Sequence, residues 1–221
     1  MKITVRQLRR VISEEAKRVF EAANTVKDAL SDKLALAVVA GDPKSFILYD
    51  PELLIKIIEA DEDDDSRAYK AIYAVVMVNR DKEAPQWGAK TVNATAARDG
   101  YGPLLYDIAM DECGGLVSDR SSVSPRAKAV WRFYRDNRED VVKKPLDDME
   151  DPKTPTKKDD TEELHPGGAK NPLNYAYFIN GGPNTSRLKA NHAAYAKQFR
   201  RLGITQDRLS WIAQEFFDRN Y

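Results

Sequence analysis

Apolar residues recur every three or four positions through the first thirty residues of the chain. Val5, Leu8, Ile12 and Ala16 begin this stripe, which continues to Leu30. A period near 3.6 residues places such positions on one face of a helix. The sequence therefore predicts an amphipathic N-terminal helix over residues 1–31, which either packs on the following domain or docks on another protein.

After Lys33 the apolar positions change to short runs that are typical of β-strands. Strands are predicted at residues 34–40, 45–49, 70–79 and 89–97. The first two flank Gly41-Asp42-Pro43, which predicts a hairpin, and the last two are expected near the middle of an antiparallel sheet. The run at 52–60 fits either a short helix or a strand.

The segment AARDGYGPLLYDIAMDECGGL, residues 96–116, has the pattern of a strand end, a glycine-containing turn and a helix opened by a proline. Gly114-Gly115 ends that helix, and a short strand follows at 115–118. Ser124-Pro125 is an N-cap and first-turn pair that opens another helix. This strand–helix–strand succession predicts that strands 89–97 and 115–118 are parallel neighbours.

Beyond Asp140 the apolar pattern weakens, and a polar loop rich in Asp, Lys, Thr and Pro is expected. A last strand is predicted at 171–180, followed by two helices divided at Gly203. Four parts are expected. Residues 1–31 form an amphipathic helix that is a candidate leader or docking segment, and residues 32–146 form the core. Residues 147–172 are the polar loop, and residues 173–221 hold the last strand and the C-terminal helices.

Composition narrows the classes of function. Lys+Arg and Asp+Glu both number 35, so a formal charge of zero gives no reason for attraction to nucleic acid or to an anionic membrane. A single cysteine, Cys113, excludes an intramolecular disulfide and fits a reducing cytoplasm. Two histidines and one cysteine argue against a zinc site. No apolar run reaches the length of a membrane span.

The central succession of elements resembles the core of the GNAT N-acetyltransferases. The resemblance rests on a strand, a G-x-G turn, a helix beginning P-L-L-Y, a short strand, and a helix carrying A-x-x-V-W-x-x-Y. The run GYGPLLYDIAMDECGGLVSDRSSVSPRAKAVWRFYRDNR is also similar to uncharacterised phage-encoded GNAT-like proteins. The resemblance implies an α+β fold whose mixed, mostly antiparallel central sheet is flanked by helices. N-terminal and C-terminal helices are then additions to that core.

In that family, backbone N–H groups of a Q/R-x-x-G-x-G/A turn hold the acetyl-CoA pyrophosphate at a helix N-terminus. Gly100 and Gly102 match the two glycines. Ala97 stands at the Gln/Arg position, and Pro103 has no N–H to donate. The resemblance assigns cofactor binding to Arg98, Asp99, Gly100, Tyr101, Gly102, Leu104 and Leu105.

The resemblance also implies the reaction, in which an amine attacks the acetyl-CoA thioester and a tyrosine protonates the departing CoA thiolate. Trp131 stands where that tyrosine often lies, so Tyr134 and Tyr101 are the candidates for this role. The amine needs a general base, and Glu83, Asp99 and Asp119 are equivalent candidates. The implied partners are an acyl-CoA and an amine, either a small molecule or a lysine.

A second hypothesis is not enzymatic. Ala97, Pro103 and Trp131 fit a catalytically inactive GNAT-like scaffold that acts as a phage virion-associated or protein-binding module. The first residues resemble leader helices of phage proteins packaged into capsids, and Ile12-Ser13-Glu14 matches the hydrophobic-x-Glu pattern recognised by some head-maturation proteases. Under either hypothesis a phage-encoded chain is expected in the host cytoplasm or in the virion.

Overall fold

The computed structural model describes residues 24–60, 65–79, 86–119, 122–148, 155, 160–161 and 164–220. Most of the predicted N-terminal helix, and the Ile12-Ser13-Glu14 motif with it, lies outside the described residues. The described helices are α1 Val26–Ser31, α2 Pro51–Ala60, α3 Tyr101–Cys113, α4 Pro125–Asn137, α5 Ser186–Ala194, α6 Ala196–Arg201 and α7 Gln206–Asn220. Short 3-10 segments lie at Asp65–Ala71, Gln86–Gly88, Gly168–Lys170 and Pro172–Asn174.

The strands form an α+β fold with a mostly antiparallel sheet. They are β1 Ala35–Val39, β2 Lys44–Tyr49, β3 Ile72–Asn79, β4 Lys90–Ala97, β5 Leu116–Val117, β6 Val141–Pro145, β7 Asp147–Asp148, β8 Asp160–Thr161 and β9 Tyr175–Ile179. Seven of the described strands hydrogen-bond in the order β1-β2-β3-β4-β5-β9-β6, and β7 pairs with β8 separately. The predicted hairpin is confirmed, with β1 and β2 antiparallel.

The chain divides into two compact units. Unit 1 contains the described residues of 86–92 and 110–182, and unit 2 contains those of 24–79, 93–109 and 183–220. In unit 2, apolar residues of β1–β3, α2 and α7 form one buried cluster that includes Ile47, Tyr49, Ile72 and Phe216. In unit 1, a smaller cluster joins Ala89, Val117, Leu146 and Ala176.

The ambiguous run at 52–60 is the helix α2. The Asp50 carboxylate accepts a hydrogen bond from the Leu53 amide at 2.9 Å, which caps the helix start. Pro51 occupies the first helical position, where its missing N–H costs nothing. Leu54, Ile55 and Ile58 are buried at helical spacing. Capping by the Asp-Pro pair therefore resolves the choice between helix and strand.

Unit 1 contains the predicted parallel pair, with Lys90 opposite Leu116 and Thr91 opposite Val117. In the seven-stranded sheet, the other pairings whose register is described are antiparallel, and the separate pair of β7 and β8 is parallel. The Ser124 hydroxyl caps α4 by accepting from the Ala127 amide at 3.2 Å, as the Ser-Pro signature predicts.

Three features were not predicted: β6, the short pair of β7 and β8 within the predicted polar loop, and a third C-terminal helix. β6 forms where the sequence analysis placed no strand, because pairing with β9 supplies its backbone hydrogen bonds. The described C-terminal region contains three helices rather than two, since α5 ends at Ala194, with Tyr195 as its C-cap, before the predicted break at Gly203.

Candidate functional site

The candidate site is the turn that leads from β4 into α3. The Arg98 amide donates to the Tyr73 carbonyl at 2.8 Å, and the Tyr101 amide donates to the Arg98 carbonyl at 3.1 Å. Gly100 is the third residue of this hydrogen-bonded turn and has φ +83°. A side chain at that φ is strained, so the turn selects glycine.

The Arg98 side chain is exposed and packs against β3. Its guanidinium lies 4.2 Å from the centroid of the Tyr73 ring, and its Nη2 donates to the Lys70 carbonyl. A cation over an aromatic face is attracted by the ring quadrupole. Arg98 thereby holds the turn against β3.

Tyr101 is the first residue of α3 and is only 5% exposed. Its ring meets that of Tyr73 edge to face, with centroids 5.3 Å apart. Its hydroxyl donates to the carboxylate of Asp32, which follows α1. Burial, and then this hydrogen bond, raise the pKa of the Tyr101 hydroxyl well above its ordinary value. Tyr101 therefore keeps its proton at neutral pH.

The first turn of α3 offers backbone donors. The first N–H groups of any helix lack partners within the helix, and here Pro103 has no N–H. The amides of Gly102 and Leu104 are the other donors of that turn. The side chains of Leu104 and Leu105 are buried, so these residues face the protein interior. Gly102 is half-buried, and a Cβ there would meet only the Ala97 Cβ, at 3.7 Å.

The other predicted catalytic tyrosine belongs to unit 1. Tyr134 is 0% exposed and lies on α4. Its ring centroid is 6.0 Å from that of Trp131 and 6.2 Å from that of Tyr177, and the Arg138 guanidinium lies 5.3 Å from it. Tyr134 and Trp131 thus belong to a buried aromatic cluster.

Two of the three candidate bases are described, and they lie in different units. Asp99 is exposed in the turn, and Glu83 lies outside the described residues. Asp119 is in unit 1, where its carboxylate accepts from the Ser122 amide at 3.3 Å and its carbonyl contacts His165 Nε2 at 3.0 Å. Among the described residues, no group of three or more His, Cys, Asp or Glu side chains could hold a metal ion.

Comparison of the chain with protein-family models, with curated proteins and with solved structures gives no match. In the described part of the chain, no helix is both long enough and apolar enough to cross a membrane.

Sequence reasoning missed the residues that hold the turn in place. The amide of Asn24 donates to the Gly100 carbonyl at 2.9 Å, Asp32 accepts from Tyr101, and Tyr73 contacts both Arg98 and Tyr101. These contacts join positions that are 25 to 76 residues apart, and no local pattern encodes them. Tyr73 is the one residue of this group that a strand pattern indicates, because it occupies a half-buried position of β3.

Proposed function

We propose that the chain is a GNAT-like, acyl-CoA-dependent N-acyltransferase that transfers an acetyl group to an amine. The observation that carries the proposal is the passage of β4 through a glycine turn directly into the N-terminus of α3. The parallel pair of β4 and β5, within a mostly antiparallel sheet, also supports it.

In this proposal the turn receives the cofactor pyrophosphate. Helix N-termini attract anions because their N–H groups carry partial positive charge. The amides of Gly102 and Leu104 are the donors, and Arg98 adds a positive charge to the turn. Tyr134 and Tyr101 remain the candidates that return a proton to the CoA thiolate.

Calorimetric titration of the full chain with acetyl-CoA tests the binding. Gly102→Glu places a carboxylate at the second position of α3, where it repels a pyrophosphate but favours the helix dipole. We expect affinity to fall roughly ten- to a hundred-fold, the loss of a charge-assisted hydrogen bond. Gly102→Gln has the same size without the charge and is the matched control. No heat from the parent at millimolar acetyl-CoA would exclude the cofactor.

A second candidate is the catalytically inactive GNAT-like scaffold that acts as a virion-associated or protein-binding module. It is favoured by the Tyr101 hydroxyl, which already donates to Asp32, and whose raised pKa makes it a poor proton donor. A thiol-release assay with acetyl-CoA and a panel of primary amines separates the two candidates. Amine-dependent release of CoA supports the enzyme, whereas binding without release supports the scaffold.

A further inference from the structure

Among the described strands, none covers the outer edge of β6. β6 ends the order of the sheet, and among the described strands only β9 pairs with it. The Asn180 amide donates to the Asp140 carbonyl at 2.9 Å, and the Leu146 amide donates to the Asn174 carbonyl at 3.0 Å. Bonded and non-bonded pairs alternate along an antiparallel ladder. The even-numbered residues therefore bond to β9, and the backbone groups of the odd-numbered residues point outward.

One end of this edge is closed. Pro145 has no N–H, and its carbonyl accepts from the Trp87 indole at 3.0 Å. The open section consists of the amides and carbonyls of Val141 and Lys143. Val142 lies between them and is 38% exposed, one of two large apolar side chains that are exposed in the described part of the chain. An open strand edge is a template for another strand.

The order of charges along this edge is self-complementary. The segment Glu139–Lys144 reads acid, acid, valine, valine, base, base. An antiparallel copy of the same segment sets acids opposite bases, whereas a parallel copy sets like charges together. Opposite charges on facing strands are stabilising, and like charges are destabilising.

Backbone direction limits the register, because outward-pointing residues must face outward-pointing residues. Val141 can then face either Val141 or Lys143 of the second copy. We take the register in which Val141 faces Lys143 and the reverse, because it sets Asp140 opposite Lys144 and leaves Lys143, which is bonded within its own chain, outside the charge pairs. The two-fold axis then passes at Val142, which faces its own copy as a non-hydrogen-bonded pair. In this register Asp140 faces Lys144 of the second copy twice, once on each side of the axis.

Both charged groups also have contacts within their own chain. Asp140 is exposed, and its hydrogen bonds from Arg138, at 2.6 and 2.7 Å, hold the pKa of its carboxyl below the ordinary value. The Lys144 ammonium lies 4.9 and 4.7 Å from the ring centroids of Trp87 and Phe178. Lys143 instead donates to the Arg138 carbonyl of its own chain at 2.6 Å.

We propose that the chain forms a two-fold dimer by antiparallel pairing of β6 with β6 of a second copy. Four backbone hydrogen bonds, the Val142 contact and two Asp140–Lys144 pairs hold it together. Such an isologous interface is the usual form of a homodimer. This proposal is independent of acyl-CoA binding.

Sedimentation of the full chain over a concentration series tests the dimer. Lys144→Glu sets two acids opposite each other at both ends of the pairing, and Asp140→Lys sets two bases there. We expect each change to raise the dimer Kd at least about tenfold. The double variant Asp140→Lys/Lys144→Glu restores opposite charges and should return the Kd to within about threefold of the parent. Lys128→Glu, an exposed residue of α4, is the matched charge control and should leave the Kd unchanged.

A disulfide tests the register. In a Cys113→Ser background, Val142→Cys places two thiols on the two-fold axis, where Cα atoms about 4.5 Å apart allow a disulfide. Oxidation should give a covalent dimer, whereas Glu139→Cys in the same background should not. A parent chain that remains monomeric up to about 1 mM overturns the proposal. So does a dimer that neither charge variant weakens, or one in which Val142→Cys forms no disulfide.

Discussion

At the residue scale, Tyr101 links the candidate site to the stability of unit 2. One side chain starts α3, contacts Tyr73 and donates to Asp32, so a residue of the turn also joins β3 and the segment after α1. Burial and the carboxylate together oppose loss of its proton. The same contacts that fix the turn therefore reduce the acidity that a proton donor needs.

Tyr101→Phe should lower the free energy of unfolding by about 1 kcal/mol, because the Asp32 carboxylate loses a buried donor. The folded-state pKa is raised, so this contribution is present below the ordinary tyrosine pKa of about 10 and is lost as the pH rises above it. Urea unfolding at pH 7 measures the loss. Tyr73→Phe removes a hydroxyl without a recorded partner among the described residues and should cost much less. Equal costs for the two variants would argue against the Asp32 contact.

At the element scale, the junction between α3 and β5 depends on close approach of the backbone. Gly114 and Gly115 both have positive φ, +71° and +122°. A Cβ at Gly115 would lie 2.5 Å from Phe178, a residue of β9, whereas a Cβ at Gly114 would meet nothing within 4 Å. Gly115 is therefore needed both to end the helix and to let Phe178 pack closely against the backbone.

We expect Gly114→Ala to destabilise the chain by about 1 kcal/mol, the cost of a left-handed residue. Gly115→Ala should cost about 3 kcal/mol or more, since overpacking against Phe178 adds to that strain. Thermal unfolding of the two variants under identical conditions measures the difference. Similar midpoints would show that Phe178 moves aside freely.

At the scale of the whole molecule, charge is balanced in total, although α4 itself carries four basic residues and one acid. The basic run of that helix includes Arg135, which pairs with Asp136 at 2.6 Å, and just beyond the helix Arg138 pairs with Asp140 at 2.6 Å. Those acids neutralise the two arginines. Two of the cations that a phosphate-binding cluster would use are therefore already paired with acids.

The parent chain should therefore bind duplex DNA more weakly than about 0.1 mM at 150 mM salt, as measured by fluorescence polarisation. The variant Asp136→Asn/Asp140→Asn releases both arginines and should gain an affinity that falls as salt rises. Tight, salt-dependent binding by the parent would contradict this expectation.

Local patterns in the sequence were sufficient to predict most helices and strands of the described fold. The Gly-Asp-Pro turn predicted the hairpin, and the Ser124-Pro125 pair predicted the start of α4. The succession of strand and helix predicted the parallel pair. Capping and turn chemistry act between residues a few positions apart, so they can be read directly from the chain. The glycine turn before α3 belongs to this group.

Tertiary structure decided what depends on distant partners. Val141–Pro145 becomes a strand because β9 pairs with it, and the Tyr101 hydroxyl is directed by Asp32, 69 positions away. The placement of Tyr101 in unit 2 and Tyr134 in unit 1 also follows from packing. Sequence alone determined local backbone conformation, because that depends on neighbouring residues. The protonation and exposure of site residues depend on the whole set of packed elements, which only the folded chain defines.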